Sequence, residues 1–507
     1  MKVVFYPQSA IAKTSMAILP DEAQTMAKEG HEVVVLYCNG FLNMCSSNPK
    51  GNCGLCKVCQ MWTHKAFSYL DKNIRRVPLT DFEAPSSKGE WFYTTSEELK
   101  KIKYNDANIG MAALSTYINF TRNQNPKITE TSKVYFDNML EQGKKLADAF
   151  LRINKELSPD QYYLFNVRRI DNKPAYETLK GLKKDIKILE VFPGSQEGVL
   201  YKELYDNTIP HDIGYREKRM QEIWEKSPLS NREKKEIGMS FFEKRRGGQF
   251  SGDKIYVKDQ VAGMLPGNWN KEKDNIVIFN SSEDEFVALG GRFDELKMFD
   301  SQLVGIKTIL DHYKDSLDKH FYIRIHPNLK NIPYKYHTDL YLFDKRYNNI
   351  TIIPPESSIS SYALMDAADK VIVFGSTIGV EAAYWKKPAI LLAGSYYYDL
   401  DFMYIPKDEK ELYNLIDAKN LEPKFNENVY KYGFYVADFE GRMYGGGVSN
   451  YLDLRKIEIN VLGNRSIGVA YQKLLGSSKL FLFYISVLRV IFSKFSKDKF
   501  TLPLEEA

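Results

Sequence analysis

The sequence predicts an α/β protein that contains two units with parallel sheets. The chain has 507 residues, which is long enough for two or more domains with large cores. Near the start, a strand over 3–6, a helix over 17–29 and a strand over 32–37 form a βαβ unit, which favours a doubly wound parallel sheet. A second α/β unit begins with the strand 275–279, directly after a Pro-, Gly- and Asn-containing stretch over 266–274 that is typical of a domain boundary.

Composition excludes several classes of protein. Lys and Arg number 70 and Asp and Glu number 65, and this net charge of +5 is no signature of nucleic-acid binding. A hydrophobic content of 44% and a charged content of 27% are those of a soluble globular protein. The first residues lead straight into a strand without a signal-peptide pattern, and no apolar run reaches the ~18 residues of a spanning helix. We therefore expect a cytoplasmic protein with reduced thiols.

All five cysteines fall within the segment 38–59. Cys53, Cys56 and Cys59 form a C-x-x-C-x-x-C pattern, and Cys45 lies one loop upstream. Two-residue spacing lets thiolates converge on one ion, so Cys45, Cys53, Cys56 and Cys59 are predicted to form a tetrahedral site for structural zinc. An iron–sulfur cluster and unliganded thiols are the alternatives. Four thiolates leave no open coordination position, so a structural role is favoured over a catalytic one.

The first half continues with a helix over 131–157, a strand over 161–165, a helix over 173–183, a strand over 186–191 and a helix over 215–246. Loops at the carboxyl ends of parallel strands are where such sheets bind ligands. Glu190, His211 and Asp212 occupy these loops and are the candidates for acid–base chemistry. Each of them is also explained by a solvated or structural role.

The central motif of the second half is VIVFGSTIGVEAAYWKKPAILL, residues 371–392, which predicts a strand, a turn, a helix over 378–385 and a second strand. The turn contains Gly375, Ser376 and Thr377. Free N–H groups and hydroxyls at a helix start favour a phosphate, and Glu381 one turn later could accept from ribose hydroxyls. The alternative is an ordinary βαβ connection in which Ser376 is the N-cap.

Two further strand ends carry polar residues. Ser281 and Ser282 follow the strand 275–279, and His326 ends the strand 321–325. Arg324 and His326 alternate with apolar neighbours and so share one strand face. An imidazole at this place donates to a phosphate oxygen or a base carbonyl, unless the backbone already satisfies it. The pattern adds a helix over 299–313, a strand over 350–353 and a helix over 358–366.

The motifs FNSSEDEF (279–286), IRIHPN (323–328) and VFGSTIGVEAAYWKKPAIL (373–391) resemble the C-terminal half of bacterial capsule and surface-polysaccharide biosynthesis proteins, which are GT-B-type glycosyltransferases. The His-Pro pair followed by a Gly-Ser-Thr turn is also similar to the motifs of sialyl- and Kdo-transferases that use CMP-sugars. The resemblance covers 275–410, and 164–176 and 207–213 fit more loosely. The cysteine segment is not part of the general GT-B pattern, so the resemblance does not identify the subfamily or the donor sugar.

The resemblance implies two facing Rossmann-like domains, an acceptor domain over 1–268 and a nucleotide-sugar-binding domain over 269–425. It implies no catalytic divalent metal. Glu190, His211 and Asp212 would supply the base of an inverting enzyme. The implied donor contacts are Arg324, His326 and Asn328 to phosphate or base, Gly375, Ser376 and Thr377 to phosphate, Glu381 to ribose, and Ser281 and Ser282 on the opposite wall.

The function that these patterns and the resemblance favour is a glycosyltransferase. Its donor would be a CMP- or UDP-linked sugar, and its acceptor a growing surface polysaccharide or a lipid-linked saccharide. A nucleotide-sugar epimerase of the same fold is one alternative. A non-catalytic polysaccharide assembly protein is another.

The C-terminal part is predicted to contain a crossover or lid segment over 426–477 and a membrane-associating tail over 478–507, in which 478–499 form an amphipathic helix. In the helix, Lys479, Ser486, Arg489, Ser493 and Lys497 share one face, and Phe481, Tyr484, Ile485, Leu488, Phe492 and Phe495 share the other. A basic face opposite bulky aromatic residues suits an anionic membrane surface. We expect the protein to be peripheral on the inner face of the cell membrane, and packing on its own core or on a partner is the alternative.

Overall fold

The computed structural model describes residues 1–9, 13–67, 70–85, 88–193, 200–249, 251, 255–437, 448–449, 498–499 and 502. The predicted crossover or lid segment is described only over 426–437 and 448–449, and the predicted amphipathic helix lies almost wholly outside the described residues. The chain divides into a first unit, made of 1–192, 198–210 and 445–506, and a second unit, made of 193–197 and 211–444 together with residue 507. No helix in the described ranges combines the length and the apolar character needed to cross a membrane.

The strands in chain order are β1 (Lys2–Phe5), β2 (Glu32–Tyr37), β3 (Arg75–Pro78), β4 (Gln161–Phe165), β5 (Asp185–Pro193), β6 (Leu200–Asp206), β7 (Asp274–Phe279), β8 (Lys319–Arg324), β9 (Ile350–Ile353), β10 (Lys370–Val373), β11 (Ala389–Leu391) and β12 (Val448–Ser449). The helices are α1 (Lys13–Lys28), α2 (Cys53–Phe67), α3 (Ser96–Lys100), α4 (Ile109–Thr121), α5 (Glu130–Leu157), α6 (Lys173–Gly181), α7 (Ile213–Lys226), α8 (Asn231–Arg246), α9 (Arg292–Glu295), α10 (Gln302–Tyr313), α11 (Lys335–Thr338), α12 (Ser361–Ala367), α13 (Ile378–Tyr384), α14 (Glu409–Asp417) and α15 (Asn428–Ala437).

The sheet of the first unit has the strand order β12-β6-β5-β4-β1-β2-β3. From β1 the chain moves outward to β2 and β3, and then returns to place β4 on the other side of β1. These pairs are parallel, as is the pair of β4 and β5, whereas the short β12 runs antiparallel to β6. The order of strands thus reverses between β1 and β4, where a parallel sheet opens a crevice at its carboxyl edge.

The sheet of the second unit has the order β11-β10-β7-β8-β9, and all its pairs are parallel. Its reversal point lies between β7 and β10. The strands are short apolar runs such as Ile276–Phe279 and Val371–Val373, buried on both faces as parallel strands require. The predicted α/β class with parallel sheets is confirmed.

The single helix predicted over 215–246 is two helices. The chain leaves α7 at Ser227-Pro228, and Ser230 begins α8 with a capping box in which its hydroxyl accepts from Glu233 N and the Glu233 side chain accepts from Ser230 N. Proline lacks the N–H that a continuous helix would need, which explains the break.

Both α7 and α8 belong to the second unit, so the structural division lies near 211, whereas the sequence pattern placed the boundary at 268. The cause is apolar packing: Phe241 and Phe242 are buried in the same core as Val371 and Phe434. Helix α15, in a segment that the sequence analysis gave only as a crossover, completes this core. A Cβ added to Gly238 would lie 2.4 Å from Tyr430 O, so α8 and α15 approach each other backbone to backbone.

Candidate functional site

Three neighbouring strand ends of the second sheet carry the predicted nucleotide-binding groups. Strand β7 lies between β8 and β10, and Arg324, Phe279 and Val373 form one row across them. His326 and Gly375 each lie two residues beyond this row. They therefore share the carboxyl edge, separated by two strand spacings, or about 10 Å. The sequence prediction that both strand ends reach one edge agrees with this register.

His326 has a defined tautomer. The backbone N–H of Asn328 donates to His326 Nδ1 at 3.2 Å, so the neutral ring carries its hydrogen on Nε2. Ser282 Oγ lies 3.3 Å from the same Nδ1, and the Tyr256 ring meets the imidazole edge to face at 5.2 Å. Asn280 Oδ1 accepts from His326 N at 2.8 Å and fixes the backbone. The imidazole is thus oriented by the ends of its own and the neighbouring strand.

Ser281 and Ser282 lie on the middle strand end and not on a wall opposite to it. Ser281 Oγ donates to Phe374 O at 2.9 Å and accepts from Gln302 Nε2 at 2.7 Å. Gln302 Oε1 in turn accepts from Ser281 N at 2.9 Å. Ser281 therefore links the ends of β7 and β10 by a hydrogen bond, and Ser282 orients the His326 ring.

The turn after β10 requires glycine at its first position. Gly375 has φ +86°, and a Cβ there would lie 2.9 Å from Gly394 O. Tyr397 Oη donates to Ser376 O and holds the turn. Within the described part of the chain, the hydroxyls and backbone N–H groups of Ser376 and Thr377 make no hydrogen bond, so these donors are available at the edge.

Glu381 and Arg324 are buried structural groups. Glu381 is 2% exposed, its Oε1 accepts from Arg245 Nε at 3.1 Å, and its Oε2 accepts from Tyr362 Oη. Arg324 is 3% exposed and donates to Pro354 O at 2.8 Å and to Ser357 O at 3.2 Å. Burial lowers the pKa of Arg324 to about 10. We therefore leave both out of the proposed ligand contacts.

Asn328 is also engaged by protein groups. Its Oδ1 accepts from Tyr256 Oη at 2.9 Å, and its Nδ2 donates to Glu285 Oε1 at 3.2 Å. The side chain therefore links the end of β8 to the residues after β7. Its backbone N–H, which fixes the His326 ring, is its contribution to the candidate site.

Glu190 is the catalytic candidate that lies in the first unit. It is on β5, and Asn166, which follows β4, donates to it through Nδ2. Asn166 and Val167 have φ +58° and +48°. A β-branched residue in this region is strained, and such strain concentrates at functional turns.

His211 and Asp212 lie in the second unit, so the three catalytic candidates do not share one unit. Asp212 is the N-cap of α7 and accepts from Tyr215 N at 2.7 Å. His211 Nδ1 lies 3.0 Å from Tyr396 Oη. The sequence analysis did not predict this partner, because Tyr396 is one of three consecutive tyrosines and nothing in the pattern distinguishes it. Gly394 contacts the Gly375 turn and also lies against Ile213 at the start of α7. His211 and Asp212 directly precede Ile213 and are therefore near this turn.

The cysteines are grouped differently from the prediction. Cys53 is exposed at the first position of α2. A small cavity of about 30 Å³ is lined by Cys38, Cys45, Cys56 and Cys59. Burial raises the pKa of the Cys38 thiol to about 12 and raises that of Cys45 as well. Among the described side chains, no group of three or more His, Cys, Asp or Glu is placed to hold a metal ion as it stands.

No known protein-family description matches this chain, and no curated protein matches it. Among solved structures, it is similar to a beta Kdo 2,4 transferase, KpsC, from Thermosulfurimonas dismutans, with 11% identity over 60% of this chain and 87% of that one and a TM-score of 0.36. It is also similar to a UDP-GlcNAc 2-epimerase from Neisseria meningitidis bound to UDP-GlcNAc, with 14% identity over 92% of this chain and 100% of that one and a TM-score of 0.25. A third is the spinosyn rhamnosyltransferase SpnG complexed with thymidine diphosphate, with 9% identity, coverage of 90% and 100%, and a TM-score of 0.20.

Proposed function

We propose that the protein is a glycosyltransferase that binds a nucleotide sugar at the carboxyl edge of the second sheet. The observation that carries the proposal is the side-by-side placement of the ends of β8, β7 and β10. The reversal of strand order lies between β7 and β10, and such reversal points are where open parallel sheets bind ligands. The groups collected there are hydrogen-bond donors, which suit an anionic ligand.

The nucleotide would be bound by two sets of donors. The N–H groups and hydroxyls of Ser376 and Thr377 would bind a phosphate, and His326 Nε2–H would donate to a second phosphate or to a carbonyl of the base. Because the two strand ends are about 10 Å apart by strand spacing, they would contact different parts of one nucleotide. The donors would stabilise negative charge on the leaving phosphate without a catalytic divalent metal.

Of the three candidates, Glu190 is the base that we assign, because Asp212 is the N-cap of α7 and His211 Nδ1 lies 3.0 Å from Tyr396 Oη. In an inverting transfer, the Glu190 carboxylate would take the proton of the acceptor hydroxyl. The acceptor oxygen would form a bond to the anomeric carbon, while the bond from that carbon to phosphate breaks and the nucleotide leaves with the electron pair. Glu190→Gln should then lower kcat strongly and leave nucleotide affinity unchanged.

The acceptor that we propose is a surface polysaccharide or a lipid-linked saccharide at the membrane. Its basis is the sequence over 478–507, in which a basic face opposes an aromatic face. Deletion of 479–507 should abolish binding to vesicles that contain anionic lipid, while nucleotide binding persists. Unchanged vesicle binding would refute the membrane assignment.

A panel of nucleotides and nucleotide sugars tests the function. Thermal-shift measurements with CMP, CDP, UDP and GDP come first, because a ligand that binds the folded state raises its stability. The nucleotide that stabilises the protein then selects the sugars for activity assays. Transfer to an acceptor or hydrolysis of the donor supports the proposal. Isomerisation of the sugar would identify an epimerase instead, and the absence of any nucleotide binding would indicate a non-catalytic assembly protein.

A further inference from the structure

Four of the five cysteines, Cys38, Cys45, Cys56 and Cys59, border one enclosed space in the first unit. They come from three chain segments: Cys38 directly follows β2, Cys45 lies in the next loop, and Cys56 and Cys59 are on α2. The two helical cysteines are three residues apart and so share a helix face. The fifth, Cys53, is exposed, although the sequence pattern groups it with Cys56 and Cys59.

Polar groups lie within hydrogen-bond distance of three of the four sulfurs. Leu42 N donates to Cys38 Sγ at 3.4 Å, and Gln60 Nε2 donates to Cys56 Sγ at 3.5 Å. Ser9 Oγ lies 3.3 Å from Cys59 Sγ. Such bonds strengthen when the sulfur is a thiolate, and they are the outer contacts that orient sulfur ligands.

The loop that carries Cys45 is held in place. Cys45 and Asn48 exchange backbone bonds of 3.0 and 3.3 Å, and Asn48 bonds Asn52 through both side-chain atoms at 2.8 and 3.0 Å. Ser46 Oγ donates to the buried Asp171 at 2.6 Å. The position of the Cys45 side chain at the cavity is therefore fixed by neighbours on both sides.

The described lining of the cavity carries no charged side chain. None of the described residues that line the cavity is Lys, Arg, His, Asp or Glu. Four partly buried cysteines are thus brought together with no protein cation among the described lining residues. A cation held by the sulfurs themselves accounts for this concentration, and thiophilic metals are the cations that prefer such ligands.

We propose that Cys38, Cys45, Cys56 and Cys59 are the ligands of a thiolate-bound metal centre, and that Cys53 is not a ligand. Sulfur ligands of this kind hold a zinc ion or an iron–sulfur cluster. Because no three of the side chains are placed around a single ion as they stand, zinc would require the thiols to turn inward, whereas a cluster takes sulfurs that ring it more widely. In either form the centre would tie the end of β2 to α2.

Metal analysis of the full-length protein, purified without oxygen, is the first test. The expected result is about one zinc per chain, or iron together with acid-labile sulfide and visible absorption. Cys38→Ser should remove most of the bound metal, and the matched control Cys53→Ser should retain it. A wild-type protein free of metal would overturn the proposal, and so would loss of metal in Cys53→Ser with retention in Cys38→Ser.

A second measurement does not depend on the variants folding. In the native wild-type protein, iodoacetamide should alkylate Cys53 alone, and mass spectrometry identifies the site. After chelation of the metal, the other four cysteines should become reactive. Equal reactivity of all five before chelation, or a disulfide among the four in place of metal, would refute the site.

Discussion

The backbone N–H of Asn328 donates to His326 Nδ1 across 3.2 Å, and this single bond decides which ring nitrogen of the neutral imidazole carries the hydrogen. A ring nitrogen that accepts from an amide carries no hydrogen, so the neutral ring presents Nε2–H. The same bond satisfies an N–H at the start of the short turn Pro327–Leu329, as an N-cap side chain does. The two roles of His326 are therefore separable by substitution.

His326→Asn and His326→Ala should differ in stability but not in nucleotide binding. Asparagine keeps an acceptor near the position of Nδ1, whereas alanine leaves the Asn328 N–H without it at a cost of about 1 kcal/mol. Neither variant has a group at the position of Nε2, so both should bind the stabilising nucleotide at least tenfold more weakly. Calorimetric titration and thermal unfolding provide the two values. Wild-type affinity in His326→Asn would remove Nε2 from the site.

Gly375→Ala should destabilise the second unit more than a matched glycine substitution does. Gly375 and Gly263 have φ +86° and +76°, but only at Gly375 would the new Cβ meet a backbone atom, Gly394 O at 2.9 Å. Gly263→Ala should cost about 1–2 kcal/mol from its backbone conformation alone. Gly375→Ala adds a contact with rigid backbone and should also weaken nucleotide binding. Urea unfolding measures both costs, and equal costs would show that the turn relaxes freely.

The strand ends are the part of the candidate site that the sequence predicts. Buried runs such as Glu32–Tyr37, Gln161–Phe165 and Ile350–Ile353 have the bounds that the pattern predicts, because apolar residues fill them and turn residues close them. The polar residues that follow a strand must then lie at its carboxyl edge. The local sequence therefore predicts that His326 and Gly375 lie at the same carboxyl edge of the sheet, whatever the order of the strands.

Partners that are distant in sequence could not be found in this way. Glu381 follows the turn that begins at Gly375 and was predicted to contact ribose, yet its partner Arg245 is 136 residues away on α8. The cysteines show the same limit: Cys53 belongs to the sequence motif, but α2 exposes it, and Cys38 takes its place because β2 ends at the cavity. Spacing identifies residues on one element, whereas tertiary packing decides which of them meet.

Breaking the ion pair of Arg245 and Glu381 should be costly. Their side chains are 10% and 2% exposed, and removing one partner of a buried pair costs about 3–5 kcal/mol. Arg245→Met should therefore lower the unfolding midpoint strongly. The control is Arg232→Met, whose partner Glu236 lies on the exposed face of the same helix, and which should shift the midpoint far less. Similar losses for both variants would contradict the assignment of a buried pair.

A substitution in the Arg245–Glu381 pair can test whether Glu381 has a structural role or binds a ligand. Because both carboxylate oxygens are bound by protein groups, Glu381→Gln should leave the nucleotide dissociation constant within about twofold in the folded protein. A ribose contact to the carboxylate would instead weaken binding by tenfold or more. Calorimetric titration below the unfolding temperature of the variant separates the two cases.

Glu217 should make the second unit less stable as pH rises. Its carboxyl is buried, its Oε1 accepts from Asp399 N at 2.7 Å, and the Arg292 guanidinium that lies 3.7 Å away is already paired with Asp399 at 2.6 and 2.9 Å. Burial raises the pKa of Glu217 in the folded protein, and the nearby Asp399 adds to this, while the Asp399 amide and Arg292 oppose it. The folded state therefore holds a proton that the unfolded chain, with a carboxyl pKa of about 4.3, releases.

The sign of the effect follows from proton linkage. Stability from this proton is complete below about pH 4.3 and decreases by about 1.4 kcal/mol per pH unit until pH passes the raised folded-state pKa. Glu217→Gln carries no titrating proton, so its stability relative to wild type should increase with pH across this window. Glu225→Gln removes a carboxyl at an exposed site on the same helix and is the matched control. Urea unfolding at several pH values between about 5 and 8 measures both differences, and parallel curves for wild type and Glu217→Gln would show that the Glu217 carboxyl ionises normally in the folded protein.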